Sequence, residues 1–151
     1  MFRDPLYKHI RRCLRELKDG DAFELCANDL LSRIYPSLAP REGGKDAGLD
    51  GVVAEDKGSM QLICTTSEDV IGNLVRSIEA NLKKGGKFRG CILATSQRLS
   101  NPRKQVLESR ARDLERPLIQ IYDQAGMAQL WKRDSRCRRH LECHSILSDR
   151  R

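Results

Sequence analysis

The chain has 151 residues, 39% of them hydrophobic and 32% charged, which suits one domain with a mainly aliphatic core. No run approaches the roughly 18 apolar residues of a membrane span, and residues 1–20 lack the apolar region of a secretory signal, so the composition excludes an integral membrane protein and argues against secretion. The six cysteines are scattered rather than spaced as a disulfide framework. We therefore expect free thiols in a reducing cytoplasm.

Charge is divided unevenly along the chain. Residues 1–75 hold 10 Lys/Arg and 13 Asp/Glu, a net of −3, whereas residues 76–151 hold 18 and 8, a net of +10. A basic half beside a half rich in acids suits a polyanion partner whose chemistry needs carboxylates. The alternative is a basic surface that serves only solvation.

Two helices open the predicted order of elements, and strands that alternate with helices follow them. A turn-rich segment with several Pro and Gly residues separates the two parts. In chain order we predict helices over 5–18 and 21–35, strands over 49–54 and 60–65, a helix over 67–83, a strand over 88–95, a helix from residue 101, a strand over 117–122 and a helix from residue 123.

This order predicts an α/β fold with a mixed central sheet of about four or five strands flanked by helices. Residues 1–132 form the expected domain, and residues 133–151 form a basic C-terminal helix or tail. Thr65 and Glu68 have the spacing of a capping box, which explains that segment as a helix start without any further role.

A glycine-rich loop, residues 43–48, leads to Asp50, and the strand Gln61-Leu62-Ile63-Cys64-Thr65 follows a hairpin away. This arrangement resembles the Mrr-type branch of the PD-(D/E)xK nuclease superfamily, in which a glycine-rich loop ends in an aspartate and the next strand bears (E/Q)-x-K. Glu24 matches the glutamate that the family carries on the preceding helix. Residues 62–70 also look like nuclease-like domains attached to bacterial signalling and defence ATPases.

The resemblance implies a restriction-endonuclease-like core and a Mg²⁺-dependent DNA endonuclease, as in a defence or restriction system. It makes Asp50 and Gln61 the expected metal ligands and Glu24 a supporting acid, because carboxylates at a strand end hold Mg²⁺ beside the phosphodiester. DNA is the expected partner, and a homodimer or association with an ATPase or signalling domain fits the same family. Glu24 has an alternative explanation as a solvated helix residue.

The chain departs from the family pattern at the motif lysine. Aligning Ile63-Cys64-Thr65 with (E/Q)-x-K loses both the acid and the lysine, while aligning Gln61-Leu62-Ile63 recovers only Gln61. Strand alternation puts Gln61 and Thr65 on one face, from which both could face Asp50. Lys45 is the first choice for a substitute lysine and Lys57 the second.

The C-terminal tail contains Cys137, His140, Cys143 and His144, which raises the question of a zinc site. On a helix Cys143 lies well round from the other three residues, and no paired C-x-x-C completes a tetrahedral set. An amphipathic terminal helix explains the segment more simply.

Three functions stay open at this point: a metal-dependent endonuclease, a nuclease-fold module that binds DNA or a partner protein without cutting, and a subunit-interaction domain with a solubilising basic surface. For the first two we expect basic residues after position 76 to cluster beside Asp50 and contact phosphates. The candidate DNA-binding residues are Lys83, Lys84, Lys87, Arg89, Arg103 and Lys104.

Overall fold

Helices and strands alternate along most of the chain. The computed structural model describes residues 4–40 and 49–133, and these ranges hold five helices and five strands. Lys45 and the cysteines and histidines of the tail lie outside them. In chain order the elements are α1 (Pro5–Glu16), α2 (Gly20–Leu31), β1 (Leu38–Pro40), β2 (Gly51–Val53), β3 (Met60–Thr65), α3 (Val70–Lys83), β4 (Gly90–Thr95), α4 (Asn101–Asp113), β5 (Leu118–Tyr122) and α5 (Gln124–Arg133).

The five strands form one mixed sheet in the order β1-β2-β3-β4-β5. Neighbours are antiparallel from β1 to β3 and parallel from β3 to β5. The expected α/β class with a mixed sheet flanked by helices is therefore confirmed, and β1 is the one described strand that the sequence did not predict. We call the end at which β3, β4 and β5 finish the carboxyl end of the sheet, and the opposite end the amino end.

Apolar side chains pack on both faces of the sheet, as alternation along each strand requires. On the first face α1, α2 and α5 cover Leu62 and Ile92, with Phe23, Trp131 and other buried residues between the layers. On the second face α3 and α4 cover Ile63 and other buried apolar residues. Even-numbered residues of β3 thus face α2, and odd-numbered ones face α3.

Aspartates begin four of the described helices, α1, α2, α3 and α5, by accepting bonds from backbone N–H groups of the first turn. Asp69 accepts from Gly72 N–H at 3.0 Å, so α3 begins at Val70 rather than at residue 67. The capping-box prediction for Thr65 and Glu68 is wrong, because Thr65 Oγ1 accepts instead from Ser67 N–H at 3.0 Å. No helix in residues 4–40 and 49–133 is long and apolar enough to cross a membrane.

α3 carries the chain from the carboxyl end of β3 back to the amino end of β4. It ends where expected, in a turn at Gly85, whose φ of 75° favours glycine. Gly85 N–H donates to Leu82 O at 3.0 Å and Gly86 N–H donates to Asn81 O at 3.0 Å, which caps the last carbonyls of the helix. Residues that follow this turn therefore lie at the amino end of the sheet.

Candidate active site

Asp50 lies immediately before β2, at the carboxyl end of the sheet. Because β2 runs antiparallel to β3, with Gly51 opposite Leu62, the residue that precedes β2 lies beside the second half of β3. Asp50 N–H donates to Leu62 O at 3.0 Å, and Asp50 Oδ2 accepts from Cys64 N–H at 2.7 Å. The backbone of β3 therefore fixes the position of this carboxylate.

Glu24 approaches Asp50 from α2, and the two carboxyl groups share a hydrogen bond. One turn later, Asn28 Nδ2 donates to Glu24 O at 2.9 Å and to Asp50 O at 3.5 Å, joining the helix to the loop. This close approach requires a glycine: a Cβ on Gly51 would lie 3.0 Å from Leu62 Cδ2 and 3.1 Å from Asn28 Oδ1. The predicted meeting of Glu24 with Asp50 is thus present in the structure.

Burial raises the pKa values of both carboxyl groups, and repulsion from Asp50 raises that of Glu24 further. For Glu24, burial is the largest cause and the charge of Asp50 is the next, and together they raise its pKa to about 7. For Asp50, burial raises the pKa, while the N–H of Cys64 and the hydrogen bond with Glu24 oppose the rise. The pair therefore holds a proton near neutral pH and attracts a cation that can replace it.

Gln61 does not lie with the acid pair. Its side chain is fully buried on the second face of the sheet, where Nε2 donates to Ser77 O at 3.4 Å and Oε1 accepts from Arg116. The expectation that Gln61 faces Asp50 is wrong, because Asp50 meets Glu24 and Asn28 of α2 on the first face, whereas Gln61 points to the α3 face.

Thr65 shares that second face and is also directed away from the pair. It is buried, and its hydroxyl caps the turn after β3. Thr66, which the sequence did not single out, turns toward the start of α2, with its hydroxyl 4.0 Å from where a Cβ of Gly20 would lie. The residues of this segment on the side of the acids are therefore Cys64 and Thr66.

Of the two substitute lysines, only Lys57 lies in the described residues. It occupies the turn between β2 and β3, which closes at Gly58 at the amino end of the sheet. The length of β3 separates that turn from Asp50, roughly 15 Å at about 3.3 Å per residue. Lys57 is therefore too far away, and Lys45 stays a prediction.

The predicted DNA-binding residues divide between the two ends of the sheet. Arg103 and Lys104 lie in the first turn of α4 at the carboxyl end, the end that holds Asp50. Arg89 lies at the amino end, paired with Glu55 at 3.0 Å. The expectation that all six cluster beside Asp50 is wrong for the four that follow or end α3, namely Lys83, Lys84, Lys87 and Arg89.

The chain matches no protein-family model, and no curated protein is similar enough to be a match.

The donor set of the acid pair suits one kind of metal ion. Within residues 4–40 and 49–133, no group of three or more His, Cys, Asp or Glu side chains is placed to hold a metal. Glu24 and Asp50 supply two hard oxygen donors, and buried Asn28 Oδ1 lacks a hydrogen-bond partner among the described residues. Mg²⁺ commonly uses one or two carboxylates and takes its other ligands from water and substrate phosphates. The pair therefore fits Mg²⁺ and lacks the four nitrogen or sulfur ligands of a structural zinc site.

Proposed function

We propose that this chain is a Mg²⁺-dependent DNA endonuclease domain of the Mrr type, working in a defence or restriction system. One observation carries the proposal: Glu24 and Asp50 meet at the carboxyl end of a mixed sheet. Ligands of open α/β sheets bind at that end, outside the strands. The β2–β3 hairpin that delivers Asp50 also supports the resemblance in element order.

Each acid has a separate task in this proposal. Asp50 is the better ordered ligand, because the Cys64 N–H holds one oxygen and leaves the other to bind a cation. Glu24 holds a proton at its carboxyl group near neutral pH, and its carboxylate would be the second ligand of a bound cation. Asn28 positions both by bonding their backbone carbonyls. Bound Mg²⁺ supplies a Lewis acid that polarises a phosphodiester and lowers the pKa of water.

A second function, DNA binding without cleavage, is favoured by a specific observation. β3 carries no lysine, and its one polar candidate ligand, Gln61, is bonded to Arg116 on the other face. A site with two acids and no lysine binds a cation but lacks the group that orients water or stabilises charge. Such a domain holds DNA as a module of a larger assembly.

Nicking of supercoiled plasmid tests the first function against the second. Wild-type protein with Mg²⁺ or Mn²⁺ is compared with Asp50→Asn and Glu24→Gln, and Asp56→Asn in the exposed hairpin turn is the matched control. We expect nicking by wild type and Asp56→Asn and its loss, by about a hundredfold or more, in the other two. Absence of nicking with every metal, together with retained DNA binding, would establish the second function.

We place this activity in the cytoplasm. The cysteines at positions 13, 26, 64 and 91 are free thiols, as proteins of a reducing compartment have. DNA as the proposed substrate agrees with that compartment. Labelling of intact cells with a membrane-impermeant thiol reagent provides the check, and an unlabelled protein is the expected result.

A further inference from the structure

An open cleft of about 560 Å³ lies between α1 and the loop that follows β4. Its volume is in the range of ligand-binding clefts. Five of the side chains that line it are cations, and none of the lining residues is acidic. The polar lining that matters here comprises Lys8, Arg11, Arg12, Arg15, Arg98 and Gln124. We call this the α1 cleft.

The charge of the α1 cleft is not neutralised by the described part of the protein. Arg11 Nε donates to the neutral Gln124 Oε1 at 3.1 Å, and its guanidinium lies 5.7 Å from the ring centroid of Tyr7. Arg12 contacts a ring nitrogen of His9 at 3.4 Å. Within residues 4–40 and 49–133, none of the ion pairs identified involves a cation of the cleft. The cleft therefore presents five positive charges to an anion.

The spacing of these cations suits a chain of phosphates better than a single one. Lys8, Arg11 or Arg12, and Arg15 follow one another at three- or four-residue intervals, so they form a row along α1. Neighbours at such intervals lie about 5–6 Å apart on a helix. Successive phosphates of a DNA strand advance about 3.4 Å along the axis, so the row spans a few of them.

Hydrogen bonds connect the α1 cleft to Thr66, the residue after β3, along the carboxyl end of the sheet. Gln124 Nε2 donates to Ser96 O at 3.2 Å, and Gln124 N–H donates to Gln97 O at 3.0 Å. Gln97 Nε2 in turn donates to Thr66 O at 2.9 Å, just past β3. Three strand spacings separate β2 from β5, roughly 14 Å at about 4.8 Å each. A strand seated at the acids thus reaches the cleft within a few nucleotides.

We propose that the α1 cleft binds the phosphate backbone of the DNA that the acid pair contacts, with Arg12, Arg15 and Arg98 as its main phosphate ligands. The identity of the polyanion rests on the proposed function, whereas the location of the site rests on the cleft alone. Phosphate contacts hold DNA without reading its sequence, so binding at this site is independent of sequence.

Fluorescence anisotropy with a labelled duplex, in EDTA, measures this binding apart from cleavage. The test variant is Arg12→Gln/Arg15→Gln/Arg98→Gln, and the control is Lys83→Gln/Lys84→Gln/Lys87→Gln at the amino end. All six side chains are exposed, so both proteins are expected to fold, which circular dichroism verifies. We expect the test variant to bind more than tenfold more weakly and to lose about 2–3 from the slope of log K against log salt. The control should change binding less than threefold.

Three results would overturn the proposal. The two variants could weaken DNA binding equally, the test variant could leave DNA binding unchanged, or the α1 cleft could bind phosphatidylserine vesicles in preference to DNA. The plasmid assay keeps this outcome separate from that of the proposed function. If wild type does not nick and only the test variant loses DNA binding, the endonuclease proposal is wrong and the proposal for the α1 cleft stands. If the test variant nicks and binds DNA at wild-type levels, the proposal for the α1 cleft is wrong and the endonuclease proposal stands.

Discussion

The carboxyl groups of Glu24 on α2 and Asp50 before β2 share a hydrogen bond at the carboxyl end of the sheet, and burial raises the pKa of each. Without a cation between them, the two carboxyl groups are both ionised only above about pH 7. The apo protein therefore stores an unfavourable interaction that a ligand relieves, which is how binding sites commonly differ from structural ion pairs.

The first prediction concerns stability against pH. The pKa of Glu24 rises from an ordinary 4.5 to about 7 on folding, so the folded state binds the proton more tightly than the unfolded state. Its unfolding free energy therefore falls as pH rises from about 4.5 to about 7. Glu24→Gln removes this effect and should stabilise the metal-free protein at about pH 8 by about 1 kcal/mol after allowance for solvent screening.

Thermal melts at about pH 5 and pH 8 check this prediction. The gain in Tm should be larger at the higher pH, where wild-type Glu24 is charged, and smaller at the lower pH. Asp56→Asn, in the exposed hairpin turn, is the control and should leave the pH dependence unchanged. A gain that is equal at both pH values would show that Glu24 does not titrate in this range.

The second prediction concerns the glycine that lets α2 approach the sheet. Gly51→Ala places a Cβ 3.0 Å from Leu62 and Leu38 side chains and 3.1 Å from Asn28 Oδ1. Overpacking of this kind should destabilise the protein by about 2 kcal/mol. Gly126→Ala in α5 is the control, since its Cβ would meet nothing closer than 3.5 Å and alanine favours a helix. Urea unfolding that ranks the two variants the other way would contradict the packing argument.

The third prediction concerns the buried arginine of the second face. Arg116 is 1% exposed and donates to Gln61 Oε1, to Asn81 Oδ1 at 3.1 Å and to Gly86 O at 3.2 Å. Arg116→Met deprives these buried acceptors of a charged donor and should cost about 3 kcal/mol in unfolding free energy. The exposed Arg112→Met on α4 should change it by less than about 0.5 kcal/mol.

A double variant separates the hydrogen bonds of Arg116 from its bulk. Gln61→Leu/Arg116→Met replaces both partners with apolar groups of similar size, so it should be more stable than Arg116→Met alone. Chemical unfolding of all three proteins measures the difference. Equal stability of the single and double variants would mean that the bond to Gln61 contributes little.

Most of the fold was predictable because local signals and packing agree in it. The strands β3, β4 and β5 are apolar runs bounded by turns, and their helices carry apolar residues at helical spacing. β1 was missed because Leu38–Pro40 is short, exposed and close to prolines, so only its pairing with β2 makes it a strand. The start of α3 was misplaced because Thr65–Glu68 and Asp69 both have capping chemistry, and the structure uses Asp69.

The acid pair was predicted, but the residues around it were not. Asp50 precedes the paired part of β2, so sequence alone does not tell which face of β3 its side chain meets. The contacts of Asp50 with Glu24 and Asn28 show that it lies on the α2 face, opposite Gln61. The distribution of the lysines was predictable in principle, because a crossover helix between parallel strands returns the chain to the amino end. Lys83 ends that helix and Lys84 and Lys87 follow it, so all three lie far from Asp50.

The fourth prediction concerns metal binding and pH. Because the pair holds a proton below about pH 7, Mg²⁺ must displace that proton on binding. Below pH 7, the apparent affinity for Mg²⁺ should therefore increase by up to about tenfold for each unit by which the pH is raised. Isothermal titration in two buffers of different ionisation enthalpy should reveal release of about one proton per Mg²⁺ near pH 6 and little release above pH 8.

The Glu24→Gln variant tests the source of that proton. It should bind Mg²⁺ more weakly at pH 8 and release fewer protons on binding, because its amide carries no titratable proton. Asp56→Asn should match wild type throughout. If the affinity for Mg²⁺ stays constant between pH 6 and 8, the metal does not bind at the carboxyl pair, and the proton that the pair shares has only a structural role.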